Sequence, residues 1–232
     1  MTDGGSAKDP AQLAFERFSE LIGEVTQFTV SAFSGIKLAN DAHNLGHTLG
    51  IHNKPVKDTG AQFEYLRGLL LLAIWAGFEA FFEDFCKGVL ARTMSAAEAE
   101  NDCAKIFNKS RSKRKTSLTK FEAILELLDR HGDIPPNLLA AFKEAEAIRN
   151  IWAHNAGCVD EKFLADAPGL QLSLGDKVNL DVEQFVKYIQ AISMYATVIS
   201  TRDTVALGYA APSANFLGDN PFRSDYAKLF RS

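Results

Sequence analysis

Hydrophobic positions return along this chain at three- and four-residue steps, and the breaks in that rhythm divide it into elements. Leu13, Phe18, Leu21, Ile22, Val25 and Phe28 open the pattern and predict a helix from about Ala11. Gly35, Gly46, Gly50, Pro55 and Gly60 interrupt it, so residues 35–61 read as a loop or a broken helix. Residues 62–94 hold no proline and form the strongest helical stretch of the chain. Its apolar residues, among them Leu66, Leu70, Trp75, Phe78, Phe82 and Phe85, cover most of the circumference. A helix apolar nearly all round is buried centrally or lies in a subunit interface.

Shorter helices are predicted at about 96–107 and 119–131, the second opened by Thr119-Lys120-Phe121-Glu122 as a capping box. Pro135-Pro136 starts a helix running to about His154, and Gly157 is its stop. Leu170, Leu172 and Leu174, then Val178 and Leu180, flank Gly175-Asp176 and predict a short hairpin within 158–180. Asp181 caps a final amphipathic helix carrying Phe185, Tyr188, Ile189, Ile192 and Tyr195. The pattern gives an all-α bundle: a disordered segment 1–10, one domain over 11–205, and an extended tail over 206–232 with spaced aromatics.

Composition narrows the function. A chain of 232 residues buries roughly 70% of its unfolded surface and needs no staples. The formal charge is −4, so any nucleic-acid contact must come from a local patch. Cys86, Cys103 and Cys158 are scattered, odd in number and without metal-ligand spacing, which fits a reducing cytoplasm and no disulfide framework. Residues 1–10 lack the apolar core of a signal peptide. The longest uncharged apolar run, Gly68 to Phe78, is too short to span a bilayer, so no membrane role is expected.

Most of the chemistry lies in Arg149-Asn150-Ile151-Trp152-Ala153-His154. A guanidinium forks onto phosphate oxygens. Histidine takes or gives a proton near neutral pH. Asn150 and His154 are four apart and share a helix face. Arg149 and His154 are five apart, roughly 140° around an ideal helix, so one straight helix does not aim both at one phosphate. A second copy about a two-fold axis would let each helix lend both to a shared cleft. The same residues also suit a plain helix end, where basic groups face the negative dipole and Asn155 and Gly157 stop the turn.

Basic residues gather elsewhere. Between Asp102 and Glu122 no acid intervenes, and Lys109, Arg111, Lys113, Arg114 and Lys115 give a basic stretch that suits RNA phosphates or a solvated interhelix loop equally well. His43 and His47, four apart near His52, have the spacing of a helical metal pair but no glutamate neighbour of a zinc-protease motif. They read as core or loop histidines, with a helical metalloenzyme as the outlying alternative. No metal and no cofactor is expected.

The motif itself resembles that of HEPN domains (higher eukaryotes and prokaryotes nucleotide-binding): an arginine, four to six residues, then a histidine, often with a polar residue straight after the arginine. No other arginine of this chain has a histidine at that spacing. The stretch Phe78-Glu79-Ala80-Phe81-Phe82-Glu83-Asp84-Phe85 resembles the upstream helix of several HEPN families, where an acidic residue often lies near the paired site. The chain is similar to RiboL-PSP-HEPN proteins within that family, and the likeness covers about residues 60–205. It implies an up-down helical bundle with an irregular or hairpin insertion before the last helix. It also implies a homodimer that cleaves RNA without metal in toxin–antitoxin, antiviral defence or RNA-processing systems. An antitoxin or defence-system protein would then be a partner. By position, Arg149 would stabilise the phosphate, His154 would be the acid/base, Asn150 would hold the loop or contact RNA, and Glu79 would join them from the upstream helix or act as a salt-bridged helix residue. Some HEPN domains have lost catalysis, so a non-catalytic dimeric scaffold binding nucleic acid or a partner protein is the alternative.

Overall fold

Two long antiparallel helices make the spine of the protein. The computed structural model describes residues 8–52, 54, 60–111 and 117–230. Helix α1 (Pro10–Thr48) starts where the Asp9 carboxylate accepts from the N–H groups of Ala11 and Gln12 at 2.9 and 3.1 Å, with proline in the first turn. Helix α2 (Gly60–Leu90) runs back along it, with Phe33 on Phe63, Phe18 on Phe78 and Phe15 on Phe81. The predicted interruption at 35–61 is corrected in its extent: α1 continues unbroken through Gly35 and Gly46 to Thr48, and the break falls between Thr48 and Gly60. A helical glycine costs only about 1 kcal/mol relative to alanine, less than the aromatic packing along the two helices supplies.

The remaining helices wrap the upper part of this spine. They are α3 (Ala96–Arg111), α4 (Ser117–Leu127), α5 (Pro136–Asn155), the short α6 (Glu161–Asp166), α7 (Val182–Ala206) and α8 (Arg223–Leu229). Asp181 and Gln184 form a reciprocal capping box at the start of α7, as the sequence predicts. The capping box expected at Thr119 is not where α4 begins. The helix opens two residues earlier, at Ser117, whose N–H donates to the buried Glu146 carboxylate at 2.8 Å. Glu122 turns away from that end to accept from Tyr195 at 2.6 Å and Arg202 at 2.9 Å.

Two further expectations change. The predicted hairpin in 158–180 is a single bridge between Cys158 and Lys177, and α6 with a 3-10 turn at Pro168–Leu170 occupies the space between them. The segment after α7 is no extended tail. It folds back so that Phe222 and Tyr226 pack with Leu138, Ala141, Ala191, Met194 and Val198. The Tyr226 hydroxyl lies 3.1 Å from Thr201 Oγ1 and donates to the Pro212 carbonyl at 3.2 Å. Residues 1–7 of the segment expected to be disordered lie outside the described residues, while Lys8 and Asp9 take part in the structure through contacts with Glu16 and Arg92. The described residues contain no strand, and none of their helices is long and apolar enough to cross a membrane.

The core is built around Phe78 of α2, fully enclosed by Phe18, Phe82, Phe121, Phe142 and Tyr195. Above it an ionic knot ties four distant segments. Arg92 holds Asp203 of α7 with two hydrogen bonds of 2.7 Å and Asp9 with bonds of 2.7 and 2.8 Å, while Arg130 donates to Asp203 at 2.7 Å. Paired forks of this kind are the strong form of the ion pair.

The Arg92 guanidinium, backed by the N–H groups of Gln12 and Ala11, outweighs burial and holds the Asp9 carboxyl below its usual range. A carboxylate lowered on folding stabilises the folded state above its unfolded pKa of about 4, and that contribution is lost as pH falls through the lowered value. We therefore expect urea midpoints to fall as pH drops below about 5, and Asp9→Asn to flatten part of that fall. An unchanged slope in the variant would remove Asp9 from the acid response.

Candidate functional site

The C-terminal turns of α5 carry the motif, and the way this helix stops places its side chains. Ala156 and Gly157 both take positive φ, 48° and 79°, and their N–H groups reach back to the Ile151 carbonyl. Lys177 donates to the Ala156 carbonyl at 2.8 Å, and Asn155 Nδ2 donates to the Cys158 carbonyl at 2.6 Å. Trp152 then seats its indole over Gly68 of α2, where a Cβ would fall 2.6 Å from the ring, and meets Tyr65 edge-on at 5.6 Å. Glycine at 68 is thus what lets the end of α5 close onto α2.

One turn earlier, Arg149 leans onto α2. Its Nη1 donates to Asn150 Oδ1 at 2.9 Å, and its Nη2 lies 3.4 and 3.5 Å from the Glu79 carboxylate oxygens. The guanidinium carbon stands 5.9 Å from the centroid of the Trp75 ring, and Trp75 Nε1 donates to Glu79 Oε1 at 2.9 Å. Trp75 is fully buried, whereas the Arg149 side chain keeps 26% of its exposure. The guanidinium is therefore aimed, paired and still open to solvent.

His154 is exposed on another side of the same helix. With Asn150 it lines a pocket of about 190 Å³ between α5 and α6, closed by Asp160, Lys162, Phe163 and Asp166. Asp160 is occupied as the N-cap of α6, accepting from the Phe163 N–H at 2.7 Å, and Lys162 pairs with Asp166 at 3.1 Å. An adjoining pocket of about 230 Å³ shares Ala147 and Asp166 and reaches Lys143 and Glu146, so a groove follows α5 up to His154.

The structure thus gathers Glu79 with Arg149, and Asn150 with both Arg149 and the His154 pocket, while Arg149 and His154 diverge around the helix as the five-residue spacing requires. Sequence reasoning missed Trp75 as a holder of Glu79, because a tryptophan in an apolar helix reads only as core. It also missed the α6 wall, although Asp160 three residues before Phe163 carries an N-cap signal.

Of the basic residues, Lys109 is exposed on α3. Arg111 ends that helix with its side chain outside the described residues, and Lys113, Arg114 and Lys115 also lie outside them. A cleft of about 450 Å³ lined by Glu79, Glu83, Phe107, Ser117 and Lys120 opens beside Glu79, between the end of α3 and the start of α4. The histidines His43, His47 and His52 lie at the far tip of α1. His43 and His52 stack at 4.2 Å, His43 Nε2 lies 2.9 Å from the Lys54 carbonyl, and no cluster of three or more metal-ligating side chains occurs among the described residues. Burial pushes the Cys86 thiol well up and the Cys103 thiol up to about 11, which marks both as inert core residues.

Compared with protein-family models, curated proteins and solved structures, the chain matches none of them.

The Trp75–Glu79–Arg149 arrangement separates two roles of Glu79. Glu79→Gln keeps an acceptor for the buried indole N–H, and because the ion pair is partly exposed its loss should cost less than about 1 kcal/mol. Glu79→Ala leaves that N–H unsatisfied and should cost about 1–3 kcal/mol. Denaturant unfolding of the two variants measures the difference; equal losses would mean the indole bond contributes nothing.

Proposed function

We propose that the protein is a metal-independent endoribonuclease of the HEPN type, with Arg149 and His154 as its catalytic pair. The observation that supports this reading most is the end of α5. A guanidinium oriented by Asn150, Glu79 and Trp75, and an exposed imidazole beside a groove, stand within two turns of one helix. In the proposed reaction His154 takes the proton of a ribose 2′-hydroxyl. The 2′-oxygen bonds to phosphorus, the bond to the 5′-oxygen breaks, and that oxygen leaves with a proton supplied by a protonated imidazole. Arg149 offsets the charge that builds on the phosphoryl oxygens. The fragments carry a 2′,3′-cyclic phosphate and a 5′-hydroxyl.

Because Arg149 and His154 diverge in one chain, the proposed working unit is a homodimer in which the second copy completes the cleft. The basic residues from the last turns of α3 onward, Lys109, Arg111, Lys113, Arg114 and Lys115, supply the phosphate attraction that an acidic chain otherwise lacks. An antitoxin or defence-system partner belongs to the same proposal.

A second reading rests on the engagement of Arg149. Its guanidinium already has Glu79, Asn150 and Trp75 as neighbours, which suits a structural role in a non-catalytic scaffold. His154→Ala separates the two. The side chain is exposed, so stability should change by no more than about 0.5 kcal/mol, while cleavage of single-stranded RNA in the presence of chelator should fall at least about 100-fold. Undiminished cleavage by the variant would remove His154 from the chemistry, and absence of cleavage by the parent chain would favour the scaffold.

A further inference from the structure

The outer face of α1 carries a repeat that stays exposed among the described residues. Between Phe28 and Leu49, steps of three and four residues pick out Phe28, Ser31, Gly35, Leu38, Ala42, Leu45 and Leu49. That spacing keeps them on one side of the helix, as in the seam of a coiled coil. All seven are exposed, the leucines at 71, 60 and 66%. The opposite side faces α2, through Phe33 against Phe63 and the buried Thr29. Charge follows the same division. The 22 residues of the seam segment carry only Lys37 and Asp41, one of each sign and both exposed, whereas Glu16, Arg17, Glu20 and Glu24 crowd the preceding turns. A helix face meant for water is normally charged.

We propose that this seam binds a second copy of the chain, antiparallel, about a two-fold axis at Leu38. The register follows from side-chain volume. Antiparallel pairing sets Leu38 on Leu38, Gly35 on Ala42, Ser31 on Leu45 and Phe28 on Leu49, so the small residues let the backbones approach near the centre and Ser31 leaves room for Leu45. Parallel pairing would stack Gly35 on Gly35 and leave a gap beside the Leu38 layer.

The size also suits a dimer. Twenty-two residues make a contact about 33 Å long, and two helices packed about 10 Å apart over that length bury on the order of 1,200 Å² in total, at the lower edge of specific interfaces. The seam belongs to α1 and the motif to α5, so the pairing does not depend on the chemistry proposed above.

Light scattering on the full chain at high micromolar concentration, paired with Leu38→Asp/Leu45→Asp, tests the seam. The expected result is a multimer whose mass falls to half in the double variant, with helicity unchanged because both side chains are exposed. Single cysteines in a Cys158→Ser background test the register, the other two cysteines being buried. Leu38→Cys should cross-link to itself, and Phe28→Cys should cross-link to Leu49→Cys in a mixture but not to itself. A parent chain that stays monomeric, a double variant of unchanged mass, or self-linking of Phe28→Cys would each overturn the proposal.

Discussion

Burial of one broad face of α2 is the constraint on which the rest depends, while Tyr65, Leu69, Ala73, Ala76 and Ala80 keep the other face open. Phe78 alone meets rings from α1, α4, α5 and α7, so the chain has no second place to put this helix. Because α2 is central, whatever packs against it is fixed in register. That includes Trp75 and Glu79, which face α5, and Gly68, which receives Trp152. The motif at the end of α5 is therefore held by the core rather than by its own loop. Its histidine is exposed because the helix ends there, and its arginine is directed because α2 presents a carboxylate and an indole at the right height.

Much of this was legible in the residues. The all-apolar circumference of 62–94 announced a central helix, Pro135-Pro136 and Gly157 bounded α5, and Asp181 capped α7. What failed was local propensity set against tertiary packing. Gly35 and Gly46 read as breaks, yet α2 lies alongside and keeps the helix going. Thr119 to Glu122 read as a cap, yet Glu122 is needed by Tyr195 and Arg202. Alternating leucines near Gly175 read as strands, yet a six-residue helix fits between the two ends of the bridge.

The site divides in the same way. The resemblance set Glu79 near the motif or in a salt bridge, and its carboxylate lies 3.4 Å from Arg149, while the angular separation of Arg149 and His154 follows from five residues of helix. Trp75 and the α6 wall were not foreseen, because one donates a single N–H from an apolar environment and the other lies in a stretch whose periodicity suggested something else. The groups with acid-base and phosphate-binding chemistry at the end of α5 are a guanidinium and an imidazole.

The central claim concerns that pair, and the chemical ends of cleaved RNA test it most directly. Purified protein incubated with single-stranded RNA and excess chelator should yield fragments ending in a 2′,3′-cyclic phosphate and beginning with a 5′-hydroxyl, as 2′-hydroxyl attack dictates. Intact RNA, or fragments with 3′-hydroxyl and 5′-phosphate ends that form only when a divalent metal is added, would contradict it.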